Sequence, residues 1–181
     1  MGIETYSKVV VVAKQQEITK LYEKLDSLPV KIKSTGPAKF FRDNPEYYQK
    51  AGPSKNGDFS MNEVVTGEVS LIDPNLKDYW FLYIYSGGYN CAWDPELFMS
   101  VNGIDYVLMA EYSYSDYEPY EESYMMQNRL TKHYERVSLV SDDPMISDDP
   151  RYGEKPSEFI MYAQRLVDKA SEIYEQMNDV S

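Results

Sequence analysis

Lys8–Ala13 reads KVVVVA, and no other stretch limits the fold so tightly. Four β-branched residues in a row suit an extended chain. Successive side chains of a strand point to opposite faces, so a run without a polar position needs apolar cover on both sides. The chain must therefore build a sheet with this strand inside it. A hydrophobic fraction of 43% in 181 residues is enough for such a core, and the length suits a single domain over 1–181.

The rest of the pattern supplies the partners. Gln15–Leu28 predicts a helix, with Ile18, Leu21, Tyr22, Leu25 and Leu28 on one side and Pro29 as its stop. Residues 30–62 are punctuated by Gly36-Pro37, Asn44-Pro45 and Gly52-Pro53 and read as an ordered insertion with a short helix near Pro45–Lys50. Val64–Ile72 is a strand in which Gly67 marks the expected place of a bulge, and Asp73-Pro74-Asn75 turns the chain. Tyr79–Tyr85 is a strand with Trp80, Leu82 and Ile84 on one face and a half-wet tyrosine face opposite. Asp94 caps a short helix, and Asn102-Gly103 ends it in a left-handed turn. Ile104–Tyr114 is a strand with Ile104, Tyr106, Leu108 and Ala110 on one face.

Between Pro119 and Arg136 the order of charges favours a helix, with a β-hairpin as the competing reading. Val137–Val140 is a strand in either case. Residues 141–156 form an acidic loop, and Ser157–Met177 is an amphipathic helix whose stripe is Phe159, Ala163, Leu166, Ala170, Ile173 and Met177. The order gives an α+β fold: a ferredoxin-like split βαββαβ antiparallel sheet, core about 8–140, with the insertion and an added C-terminal helix.

Asp78–Asn128 contains no lysine and no arginine, yet carries nine acids threaded with ten tyrosines. Residues 1–55 are net +4 and residues 56–181 net −16, within a total of −12. This balance opposes direct nucleic-acid binding and an anionic membrane surface, both of which need clustered cations. No apolar run approaches the roughly 20 residues of a membrane helix. No secretory leader is read at the N-terminus, and Tyr6 stands where a myristoylation signal needs Ser or Thr. The single Cys91 excludes an internal disulfide and fits a reducing compartment.

A strand followed by Trp93-Asp94-Pro95 entering a short helix, then a strand running into a Tyr/Glu-rich stretch, resembles a family of small phage-encoded proteins with a ferredoxin-like domain. The resemblance spans about half the chain and implies a phage or mobile-element origin and work in a bacterial cytoplasm. It carries over no catalytic residue.

No constellation demands a catalytic reading, so an enzyme is the less favoured class. Cys91 and His133 are the only residues of their types, and nothing in the sequence joins them. Gly87-Gly88 reads as a turn. The two SDDP repeats lack the alternating spacing of a calcium loop. No metal or cofactor is expected.

The acidic, tyrosine-rich stretch points to a partner surface. Acids repel one another when no counter-ion separates them, and they can imitate a phosphate ladder, with tyrosines standing in for bases. The expected contact set is Asp105, Glu111, Tyr112, Tyr114, Asp116, Tyr117, Glu118, Tyr120, Glu121 and Glu122. The expected partner is a basic, nucleic-acid-binding groove of a host defence protein, a CRISPR effector or restriction enzyme, inhibited by occlusion. The alternatives are a ligand or enzymatic pocket between the sheet and the insertion, using Phe40, Phe41, Tyr47, Tyr48 and the tyrosine face of Tyr79–Tyr85, and an assembly role with the C-terminal helix as a dimer contact.

Overall fold

The computed structural model describes residues 4–26, 60–89, 95–115, 121–138 and 156–179. In chain order these form β1 (Glu4–Ala13), α1 (Gln15–Asp26), β2 (Ser60–Glu68), a 3₁₀ turn (Val69–Leu71), β3 (Trp80–Tyr89), α2 (Pro95–Val101), β4 (Leu108–Ser115), β5 (Glu121–Asn128), β6 (His133–Ser138) and α3 (Glu158–Asp179). The architecture is α+β. One open antiparallel sheet of six strands, in the order β2-β3-β1-β4-β5-β6, carries the three helices.

The valine run sits inside the sheet, between β3 and β4, and is buried on both faces. Val9, Val11 and Ala13 meet Ile18, Leu21 and Leu25 of α1 and Phe98 and Met99 of α2. Val10 and Val12 point the other way, to a layer with Phe81, Tyr83, Leu108, Ala110 and Met126 that α3 covers. On α3, Ile160, Ala163, Leu166, Val167 and Ala170 are buried. Each fully buried Leu, Ile or Val contributes about 1.5–3 kcal/mol. The stripe offered as a dimer contact is thus largely occupied by the chain's own sheet, with Met177 at its end exposed.

The expected left-handed close of the short helix is present, with two further ties. Gly103 takes φ 65°, and the Ile104 N–H donates to the Met99 carbonyl at 2.8 Å, closing α2 with a left-handed turn. Lys20 donates to the Gly103 carbonyl at 2.8 Å, tying α1 to that turn. Ser157 caps α3 by accepting the Ile160 N–H at 3.2 Å.

Other expectations are corrected. The segment 119–136 is not a helix: Glu121–Asn128 and His133–Ser138 form a hairpin on the free edge of β4. Asn128 builds its turn, its Oδ1 accepting the N–H groups of Leu130 and Thr131, and Lys132 closes it at φ 58°. Eight cross-strand pairs with β4 outweigh the charge order that favours a helix. Gly87-Gly88 is no turn either, because β1 begins at Glu4 and pairs Tyr6 with Gly87 and Thr5 with Gly88.

The strand 64–72 ends at Glu68, since Val69–Leu71 winds into a 3₁₀ turn. Its irregularity lies between Met61 and Glu63, not at Gly67. Gly67 is needed for space, as a Cβ there would stand 3.1 Å from Leu71 and 3.2 Å from the Phe81 ring. Ile104 and Tyr106 join the α1/α2 layer while Leu108 and Ala110 join the α3 layer. The chain bends at Val107, whose N–H reaches the Val12 carbonyl, and regular alternation starts only at Leu108. The short helix near Pro45–Lys50, the Asp94 cap and the loop 141–155 lie outside the described residues.

Candidate functional site

The sheet register gathers tyrosines from four strands into one patch. Ahead of the valines, strand β1 carries Tyr6 and Lys8, which share the α3 side with Val10 and Val12. Lys8 pairs with Tyr85 of β3 and with Tyr112 of β4, and Tyr112 pairs with Tyr124 of β5. Glu63 of β2 pairs with Tyr85, so one row reads Glu63, Tyr85, Lys8, Tyr112, Tyr124 across five strands. The next row places Tyr6 beside Tyr114, and Tyr114 beside Glu122. All eight are half-buried, and Tyr85, Tyr112 and Tyr124 among them pack against the edge of the core that α3 covers.

The rings touch. Tyr6 stacks on Tyr85 with centroids 6.0 Å apart and planes 6° apart, and lies 6.5 Å from Tyr114. Tyr112 and Tyr124 are 5.1 Å apart. Such pairs add about 0.5–1.5 kcal/mol beyond the area they bury. The Lys8 ammonium sits 5.4 Å from the Tyr85 ring centre, a cation held on a π face.

Carboxylates bound the patch. The Tyr112 hydroxyl donates to Glu122 at 2.8 Å, and the buried Tyr83 hydroxyl donates to Glu63 at 2.9 Å. Burial, and then the adjacent Glu122, pushes the Tyr112 hydroxyl well above its ordinary pKa of 10.0. Tyr83 is raised by burial first, with Glu63 adding and Ser171 opposing. Tyr85 is raised by burial and then by Tyr6 and Glu63. Tyr124 is pushed up to about 12 by burial, Asp168 and Glu122. At neutral pH the patch therefore presents protonated phenols beside the Glu63 and Glu122 side chains.

The same strands turn a different surface to the opposite face. Ser86, Ser7, Ser113, Ser123 and Ser138 form one row from β3 to β6, each paired with the next. Ser7 and Ser86 are 3.2 Å apart at their hydroxyls, and Ser113 and Ser123 2.7 Å. Ser7, Ser86 and Ser123 are buried.

The expected contact set is divided by this geometry. Tyr112, Tyr114 and Glu122 fall within the patch. Glu111 alternates to the serine side of β4. Asp105 precedes β4 at the far end of the strand, where its backbone N–H donates to Glu17 and its carboxylate is 3.9 Å from Arg129. Glu121 opens β5 opposite Ser115. Asp116, Tyr117, Glu118 and Tyr120 lie outside the described residues, as do Phe40, Phe41, Tyr47 and Tyr48. Tyr6, Lys8, Glu63, Tyr85 and Tyr124 of the patch lie outside the expected contact set. The alternation Tyr6-Ser7-Lys8 was a signal that β1 runs on past the valines, but only the register shows what it meets.

Cys91 also lies outside the described residues, and His133 is engaged elsewhere. Its Nε2 is 2.8 Å from Glu135, whose other oxygen accepts the Ser157 hydroxyl, and its ring packs 4.2 Å from Phe159. The Ser157 hydroxyl and then His133 hold the Glu135 carboxyl below the usual range. The carboxylate stands between hydroxyl and imidazole, so this trio fastens β6 to the start of α3 and does not form a nucleophile–base pair. Among the described residues no group of three or more metal-ligating side chains occurs, and no helix is long and apolar enough to cross a membrane. No family model, curated protein or solved structure matches the chain.

Proposed function

We propose that this chain is a binding protein, not an enzyme, that docks its tyrosine–carboxylate face on a basic, nucleic-acid-binding surface of another protein and occludes it. The observation that carries the reading is the convergence of Tyr6, Tyr85, Tyr112, Tyr114 and Tyr124 on one half-buried face between Glu63 and Glu122. Tyrosines supply large, rigid contact area at low entropic cost and are enriched where proteins bind proteins. The flanking acids, and the cation-free stretch from Asp78 to Asn128, steer a basic partner toward that face. Lys8 lies between the two glutamates and fixes the central ring without reversing the sign of the rim. In this reading the chain is a phage or mobile-element protein acting in a bacterial cytoplasm, and the partner is a defence nuclease of the CRISPR-effector or restriction class.

We further read β1-α1-β2-β3-α2-β4 as a ferredoxin-like split βαββαβ unit, enlarged by the β5–β6 hairpin and α3. The strand order β2-β3-β1-β4 and the shared layer of α1 and α2 support this.

The test is capture of partners from host lysate by the tagged chain, washed at low and at high salt, with duplex DNA as competitor. The expected result is a nucleic-acid-binding protein that high salt releases, that DNA displaces, and that Tyr114→Ala/Glu122→Lys no longer retains. A partner indifferent to DNA and to that variant would overturn the assignment.

A further inference from the structure

At the end of the sheet remote from the tyrosines, β1 passes into α1 and the 3₁₀ turn leads back to β3. The two connections border an open cleft of about 490 Å³, a volume within the usual range for a small-molecule site. Its lining combines side chains of both charges with aromatic rings. In a chain of net charge −12, two lysines line this one cleft, Lys14 from the first connection and Lys77 from the second. Neither has an ion-pair partner among the described residues, although Glu68 and Asp78 line the same cleft. Trp80, half-buried at the start of β3, gives the cleft an aromatic wall.

These groups sort into three demands on a ligand. Two ammonium groups without carboxylate partners suit a compact dianion, and phosphate is the common one. A half-buried indole suits a flat ring laid against it. Carboxylates that the lysines leave unpaired accept hydroxyl protons, as acidic side chains do from a ribose. We propose that this cleft binds a nucleoside monophosphate, with the phosphate at Lys14 and Lys77, the base against Trp80 and the sugar hydroxyls toward Glu68 or Asp78. The inference is independent of the tyrosine face, which lies on the other half of the sheet.

Calorimetric titration of the full chain with the four common nucleoside monophosphates tests it, with inorganic phosphate and adenosine titrated separately. At least one monophosphate is expected to bind saturably, and more tightly than phosphate or adenosine. Lys14→Gln/Lys77→Gln should weaken it by roughly tenfold or more, the effect of losing charge-assisted contacts. Trp80→Leu should weaken the monophosphate while leaving the response to phosphate unchanged. A melting curve of the lysine variant like the parent's would show that both share one fold, since both side chains are exposed. Failure of all four monophosphates to bind, binding no tighter than phosphate alone, or binding that the lysine variant leaves intact would overturn the proposal.

Discussion

The upper halves of β3, β1, β4 and β5 carry two side-chain rows one residue apart, and the rows have opposite characters. On the α3 side stand Tyr85, Lys8, Tyr112 and Tyr124, large, half-buried and bordered by glutamates. On the other side stand Ser86, Ser7, Ser113 and Ser123, small and mostly buried. Both rows are rich in hydroxyls, but they spend them differently. Tyr112 donates to a carboxylate, whereas Ser113 and Ser123 satisfy each other. The Ser113–Ser123 pair, closed on itself, offers little to a partner. A face that sets carboxylates beside aromatic rings offers both area and charge. The interleaving of tyrosine and glutamate thus has an internal cause as well as an external use: Glu122 is the acceptor for a half-buried phenol before it is anything to a partner.

Alkali should separate the two rows most strongly, because only one of them ionises. Tyr83, Tyr85, Tyr112 and Tyr124 have folded pKa values raised above 10.0, chiefly by burial, and Tyr162 is raised by burial and by Asp73. The sign is fixed by linkage: a group that holds its proton more tightly when folded stabilises the fold fully below its unfolded pKa. That contribution is lost as pH climbs from about 10 through the folded values, Tyr124 at about 12 among them. Of the 18 tyrosines, those raised by burial should be the last to ionise, and the last part of the rise in tyrosinate absorbance should coincide with loss of the circular dichroism above about pH 10. A tyrosinate titration that runs to completion with the dichroism intact would mean that the tyrosine row is open to solvent, and the contrast with the serines would fall.

Packing against hydroxyl chemistry is weighed at Tyr83, the fully buried neighbour of the patch. Tyr83→Ala removes a buried ring and should cost about 3–5 kcal/mol. Tyr83→Phe keeps the ring and deprives Glu63 of a donor, for about 1 kcal/mol. Denaturant midpoints measure both. Equal losses would place the stability of this face in its hydrogen bonds and not in its rings.

The lower half of the sheet was far more legible in the sequence than the upper half. KVVVVA, the α1 face at Ile18, Leu21 and Leu25, and the stripe of α3 at Ala163, Leu166 and Ala170 announce burial through periodicity, which one segment reveals alone. The tyrosine patch depends on pairings such as Lys8 with Tyr112 and Tyr85, residues far apart in the chain. Composition drew attention to Tyr112, Tyr114 and Glu122, but it could not separate them from Glu111, which alternation sends to the other face, or from Asp105, at the far end of β4. The hairpin at 121–138 was obscured for a related reason. Its charges are ordered as a helix would order them, and its preference for strand comes from β4 beside it, not from its own residues.

The serine row makes the smallest and most exact demand. Ser113 and Ser123 lie 2.7 Å apart, and Ser123 is buried. Ser113→Ala leaves the Ser123 hydroxyl shut away from water without its partner, which should cost about 1–2 kcal/mol. Ser123→Ala should cost about 1 kcal/mol or less, because half-buried Ser113 regains water. Replacing both removes the stranded hydroxyl, so the double variant should be nearly as stable as the parent, with a coupling of about 1 kcal/mol in the cycle. Tyr112 and Glu122 predict a different outcome for the same experiment, since Tyr112→Phe leaves a Glu122 carboxyl that partial exposure can hydrate. Strong coupling on the serine side and weak coupling on the tyrosine side would show one face closed upon itself and the other still able to exchange its internal contacts for those of a partner. Additive losses at Ser113 and Ser123 would mean that the serine row reaches water too, and that both faces of the upper sheet are open to binding.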